Sequence, residues 1–285
     1  MKFKISKNLI ILSIVIILII ISFFTGSSDN NIDNNIGIVN IEGPIMESDK
    51  IIEKINTLNE REDISGIILR INTPGGAVAP SQEIFEKVKN ITLKPIIASV
   101  GSMCASGGYY IAIGADVIIA NPGSVVGSIG VIINYPIAKE LLDKIGLQYS
   151  TYKSGELKDA GSPFRLSTEQ DKIFFNDIVN DLHHQFIREV SFNRKIAMSE
   201  IKKLANGQVF TGEMALEENL IDTLGTFEDA LNLMKKITNI EGKINKVYIK
   251  DKKESFLDYL SINSYSFIDM INNNSYKIPL FMIGY

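Results

Sequence analysis

Between Ile36 and Tyr152 the chain alternates short apolar runs with amphipathic stretches. The runs Ile36 to Ile41, Gly66 to Ile71, Pro95 to Val100, Asp116 to Ala120, Ile129 to Ile133 and Leu147 to Tyr152 are brief and mostly β-branched or aromatic, which predicts strands. The stretches between them predict helices at Ser48 to Leu58, Pro80 to Ile91, Ser106 to Ile113 and Ile137 to Lys144. Strands recurring between helices form βαβ units, so the expected class is α/β with largely parallel pairing. Beyond Gly161 the pattern turns helical. Ser167-Thr168-Glu169-Gln170 has capping-box form, and Phe175, Ile178, Val179, Leu182, Phe186 and Val190 follow at the spacing of one long helix. A second helix begins at Thr211, a third spans Phe227 to Ile237, and Val247 to Ile249 supplies a last strand.

The ends of the chain follow other rules. Leu9 to Phe24 is apolar except for Ser13 and Ser22, and Lys2, Lys4 and Lys7 precede it. With Thr25 and Gly26 it reaches about 18 residues at ~1.5 Å rise, near the lower limit for a bilayer span. A cleaved secretory signal normally has a shorter apolar core ending in a small-x-small site, and Phe23-Phe24-Thr25-Gly26-Ser27 lacks one. The segment therefore predicts an uncleaved transmembrane signal anchor at 9–26, with residues 1–8 cytoplasmic and everything after Gly26 outside the cytoplasm at the cell membrane. Residues 27–35, rich in Asp and Asn, read as a linker, 36–250 as the globular domain, and 251–285 as a tail that ends in an apolar stretch.

Composition narrows the chemistry. A net charge of −4 over 285 residues, without a basic cluster, argues against nucleic-acid binding. The single cysteine, Cys104, rules out an intrachain disulfide framework and a Cys-rich zinc site. It reads as a small buried residue rather than a thiol nucleophile. The two histidines, His183 and His184, are neighbours in one predicted helix.

Four segments bear more than packing. Asn72-Thr73-Pro74-Gly75-Gly76 ends a strand with paired glycines, whose amides can face an open space or simply make a βα turn. Ser102-Met103-Cys104-Ala105-Ser106-Gly107-Gly108-Tyr109-Tyr110 places Ser106 at a helix start, as a nucleophile or an ordinary N-cap. Asn121 to Val131 is a Gly/Ser loop, either a polar shell around a base or a tight connection. Tyr152 to Phe164 is a polar loop carrying Lys153 and Lys158. A serine nucleophile needs a base, and with histidine so scarce the better candidate is a lysine kept neutral by desolvation.

Taken in order, Thr73-Pro74-Gly75-Gly76, Ser102-x-x-Ala105-Ser106-Gly107-Gly108-Tyr109-Tyr110, Gly123-Ser124-x-x-Gly127-Ser128-Ile129-Gly130-Val131 and Lys153-Ser154-Gly155-x-x-Lys158-Asp159-x-Gly161-Ser162-Pro163 resemble the signal peptide peptidase A family of serine peptidases, in its short form with one catalytic domain. The resemblance covers about Ile36 to Ile237. It implies Ser106 as nucleophile, Lys158 rather than Lys153 as general base, Ser128 as the serine that orients the lysine, and the backbone N–H groups of Gly76 and Gly107 as oxyanion hole. It also implies the ClpP/crotonase-like βαβ superhelix, no metal or cofactor, apolar peptides such as signal-peptide remnants as substrates, and a membrane-anchored homo-oligomeric ring whose neighbouring subunits help form each site. The extended apolar end of the tail suggests that it lies on a neighbouring subunit or enters its substrate groove. Three rival readings are a membrane serine protease of the NfeD-related kind, which cleaves apolar tails of partner membrane proteins; a crotonase-like acyl-CoA enzyme; and a non-catalytic anchored scaffold. The complete Lys158-Asp159-Ala160-Gly161-Ser162-Pro163 motif argues against the first, an extracytoplasmic position against the second.

Overall fold

The computed structural model describes residues 34–249 and 280–282; the expected anchor at 9–26, and nearly all of the linker and the tail, lie outside the described residues. Among the described residues no helix is long and apolar enough to cross a membrane. An eight-stranded, mostly parallel sheet organises the domain. Its main path runs β7 (Val209–Thr211), β6 (Val125–Gly127), β4 (Ile96–Ala105), β2 (Ile64–Thr73), β1 (Asn35–Glu42) and β9 (Asn245–Tyr248). β5 (Val117–Ala120) pairs with β4 on one side and with β8 (Thr223–Leu224) on the other. β3 (Gly75–Ala77) lies outside this sheet and pairs with β10 (Leu280–Met282).

Strand side chains alternate between two apolar layers, which is why the strands read as nearly continuous apolar runs. Val39, Ile41, Ile67, Leu69 and Ile71 join one cluster with Ile55 and Leu58 of α1 (Asp49–Glu60), Ile84 and Phe85 of α2 (Val78–Lys89), Tyr109 to Ala112 of α3 (Gly107–Ala112) and Phe186 and Val190 of α5 (Glu169–Arg194). Ile36, Ile38, Ile68, Ile97 and Ile119 turn the other way, onto Ala230, Leu231 and Met234 of α8 (Phe227–Ile237). Gly66 marks a close approach on that face, since a Cβ there would lie 2.4 Å from the Met234 sulfur.

β4 serves two neighbours in succession. Ile97 to Ser99 pair with β5, and Met103 to Ala105 pair with β6, which leaves the end of β4 beside a divergence in the sheet. β4 thus runs on to Ala105, past the Pro95 to Val100 run that predicts it. Two expected strands are absent. Residues 129–133 form no strand, since the ladder occupies Val125–Gly127 instead, where both β4 and β7 offer partners. Residues 147–152 are exposed and unpaired in a sheet, with Tyr152 98% exposed. The helix expected at 137–144 is confined to α4 (Lys139–Lys144). α6 (Met198–Leu204), β3 and β7 have no counterpart in the sequence reading. The helix begun by Thr211 is α7 (Gly212–Glu217), capped by the Thr211 side chain, and α5 is capped by Thr168 with Asp171, not by the Ser167–Gln170 pair.

Candidate active site

Ser106 links the end of β4 to α3 with φ 52° and ψ −114°, backbone angles that residues with side chains rarely adopt. Such a residue costs about 1–3 kcal/mol unless its surroundings hold it, and strained strand-to-helix turns are how nucleophilic serines are commonly presented. Here the hold is explicit. Ser106 N–H donates to the Gly127 carbonyl at 2.7 Å, and the Ser106 carbonyl accepts from Tyr110 N–H at 2.8 Å. The side chain makes no capping bond to α3, so the ordinary N-cap reading fails. The hydroxyl donates to the Gly130 carbonyl over a long 3.5 Å, while the residue as a whole is buried.

The aromatic pair after Ser106 fixes the helix that follows it. Tyr109 is fully buried and donates its hydroxyl proton to the Leu220 carbonyl at 2.8 Å. Tyr110 packs edge-on against Phe85, with ring centroids 5.0 Å apart, and against Phe186 at 4.8 Å. Gly108 lets α3 close on the first motif, because a Cβ there would lie 2.4 Å from the Thr73 methyl. Buried Thr73 then orders the glycine turn, donating to the Gly43 carbonyl at 2.5 Å and accepting from Gly75 N–H at 3.1 Å.

On β3, one edge is occupied by Ile45, which donates to the Gly75 carbonyl at 2.9 Å and accepts from Ala77 N–H at 2.7 Å. Because amides alternate along a strand, Gly76 N–H faces the opposite edge. There β10 runs antiparallel, with Phe281 opposite Gly76, and its backbone also approaches α2 and α3. Ser128 sits next to Gly127, the residue that accepts from Ser106, and is itself buried with φ 54° and an N–H to the Gln208 carbonyl at 2.8 Å. Ser106, Gly107, Ser128 and the Gly75-Gly76 turn are therefore drawn together.

Lys158 is not in that cluster. It lies exposed on a 3-10 turn, Glu156–Asp159, and among the described residues no hydrogen bond joins it to Ser106 or Ser128. Lys153 has partners of its own, the Asp159 carboxylate at 2.7 Å and the Glu156 carbonyl at 2.9 Å. Cys104 is fully buried, and burial pushes its thiol well above the ordinary range, so it is no thiolate nucleophile. His183 and His184 sit on α5, with no bond to Ser106 among the described residues.

A polar cluster that sequence reasoning missed surrounds the lysine turn. Arg165 bridges Asp159 and Asp171, and the Asp171 side chain is only 1% exposed. Hydrogen bonds from Arg165, and then from the Thr168 backbone, hold the Asp171 carboxyl down to about 2. A depressed carboxyl adds stability above its unfolded value, near 4, and loses it as pH falls through the folded value. That contribution is about 2 kcal/mol. Unfolding free energy should accordingly fall by about 2 kcal/mol more between pH 5 and pH 2 in the parent than in Asp171→Asn, by denaturant titration at each pH. Parallel curves would remove this assignment.

Two family models match the chain: Peptidase family S49 over residues 89–241, which contain Ser106, Ser128 and Lys158, and Clp protease over residues 33–124, which contain Gly76. A Synechocystis sp. protein with a protease designation is 35% identical over 76% of this chain and 80% of its own length. An Enterococcus faecium protein designated signal peptide peptidase SppA is 36% identical over 65% of this chain and 54% of its own. Protease 4 of Haemophilus influenzae is 31% identical over 73% of this chain, which spans 36% of that longer protein. A solved chain described as a point mutant of the 1510-N membrane-bound stomatin-specific protease superposes with a TM-score of 0.49 at 18% identity, over 77% of this chain and 99% of that one. With the S49 model covering more than half of the sequence and relatives named for the same activity, the chain belongs to peptidase family S49 and is a serine peptidase.

Proposed function

We propose that this serine peptidase degrades small apolar peptides, signal-peptide remnants among them, through a Ser106–Lys158 dyad and an acyl-enzyme. The observation that carries the reading is the pairing of β3 with β10. The free edge of β3, adjoining the Ser106 turn, accepts an extended Leu-Phe-Met segment in antiparallel register. Strand addition of this kind binds a peptide through its main chain. A substrate on that edge brings its carbonyl to the amides of Gly76 and Gly107, which take up the oxyanion.

Ser106 then attacks the carbonyl carbon while the free amine of Lys158 accepts the hydroxyl proton. The amine returns that proton to the departing nitrogen, and water resolves the acyl-enzyme. Ser128 orients the amine. Because Lys158 stands exposed and apart from Ser106 in one chain, the dyad forms between neighbouring subunits of a ring. Exposed Leu141, Ile145, Leu147 and Tyr149 on the same excursion supply apolar surface for that contact. Residues 9–26 anchor the ring, with the peptidase domain outside the cytoplasm, close to the bilayer that releases such peptides.

The test is cleavage of a fluorogenic apolar peptide. Lys158→Ala should lose at least about a thousandfold in turnover, whereas Lys153→Ala should lose less than about tenfold. Truncation after Lys250 should lower KM by clearing the β3 edge. Equal losses in the two lysine variants would reject the dyad, and an unchanged KM would reject the shared edge.

A further inference from the structure

From Gly130 to Asp159 no residue is buried, and the apolar contacts of the segment are at its start and middle, Val131 on the core, Tyr135 on Phe175 and Tyr149 on Phe164, not at the Lys158 turn. At the turn itself the densest attachment is polar and passes through one side chain. Arg165 Nε donates to Asp159 Oδ2 at 2.9 Å, and Nη2 donates to Asp159 Oδ1 at 2.9 Å and to the Asp159 carbonyl at 3.2 Å. On its other side Nη2 donates to Asp171 Oδ1 at 2.9 Å, while Nη1 donates to Asp171 Oδ2 and, at 3.0 Å, to the Leu166 carbonyl. Asp171 is in turn locked to the start of α5 by the Thr168 capping box. The path thus runs from the N-terminus of a 26-residue helix through Asp171 and Arg165 to Asp159, one residue past Lys158.

Exposed ion pairs do little to hold a loop, but this one is forked and largely screened from water, with side-chain exposures of 25%, 13% and 1% for Arg165, Asp159 and Asp171. The planar guanidinium can grip two carboxylates at fixed angles, which an ammonium cannot. Charge is balanced too. Asp159 is met by Lys153 from its own turn and by Arg165, Asp171 meets Arg165 from α5, and Glu156 shares the turn. No unneutralised carboxylate is left beside Lys158 by Asp159.

We propose that Arg165 is a positioning residue for catalysis: by clamping Asp159 to Asp171 it fixes the turn that presents Lys158. This rests on Lys158 being the general base. Removing the guanidinium therefore loosens the turn, while Lys153 still meets the Asp159 carboxylate.

The test uses the whole protein in detergent, with oligomeric state and melting recorded for every variant. Arg165→Gln should lower kcat by about ten- to a hundredfold with KM within about twofold. Arg165→Lys keeps the charge but not the fork, so kcat should remain reduced; it also serves if Arg165→Gln does not fold. A kcat unchanged per folded, assembled molecule in either Arg165 variant would overturn the proposal. Lys158→Ala, measured alongside, separates the two ideas: full activity there refutes the lysine base itself, and inactivity there with normal Arg165 variants refutes only the clamp.

Discussion

Replacing Ser106 by alanine should cut peptide turnover by at least about four orders of magnitude while leaving the protein folded. The two effects separate because of what the hydroxyl does and does not touch. Its one hydrogen bond among the described residues is the 3.5 Å contact to Gly130, too long to contribute much to stability. The bonds that fix the turn use the Ser106 backbone, and they survive the substitution. Alanine also keeps the Cβ, so the strain at φ 52° is unchanged. The expected result is an inactive enzyme whose melting temperature stays within a few degrees of the parent. Measurable peptidase turnover in Ser106→Ala, above a mock-purified control, would remove Ser106 from the nucleophile's position.

Gly76→Ala should be the most damaging single-methyl change in the site. The added carbon would lie 2.0 Å from the Ile45 carbonyl oxygen, far inside van der Waals contact. Ile45 cannot withdraw freely, since its N–H and carbonyl are both bonded to β3. Relief must come from moving the strand, which shifts the one β3 amide that faces the peptide edge. Activity per folded molecule should therefore fall by at least about a hundredfold, the scale of losing an oxyanion donor. Gly123→Ala is the control in the same glycine-rich site: nothing lies within 4 Å of its new carbon, and stability should stay within about 0.5 kcal/mol. Like effects in both variants, by turnover and thermal melting, would mean that close approach at Gly76 is not what the site requires.

How far the structure is legible in the sequence depends on how local each cause is. α8 begins and ends where the amphipathic pattern places it, at Phe227 and Ile237, because its capping box and its apolar stripe are both encoded within the segment. β6 lies at Val125–Gly127 rather than 129–133 because a three-residue strand is chosen by its partners, and Met103 to Ala105 and Val209 to Thr211 are distant in sequence. The alternation at 147–152 reads as a strand yet has no sheet neighbour within the chain, so its side chains stay exposed. Ser106 stands out from its small-residue segment, but its backbone strain is created by Gly127 and Tyr110 and carries no local signature. Family resemblance alone selects Lys158 over Lys153; the geometry adds that Lys153 is already engaged by Asp159. The Arg165 clamp is invisible in the sequence because Asp159 and Asp171 meet one guanidinium only after the chain folds back at Gly161 to Pro163.

Ser106 and Ser128 are two of the five described residues other than glycine with positive φ, and two of the remaining three are asparagines, which tolerate that region better. Sequence optimisation for stability alone would therefore favour glycine at both positions, gaining up to about 1–3 kcal/mol at each. The optimised chain would keep its sheet, its aromatic anchors and its clamp, and would have lost both hydroxyls. On the proposed mechanism, positions 106 and 128 are the places where anyone engineering a hardier version has to refuse the advice of folding energetics.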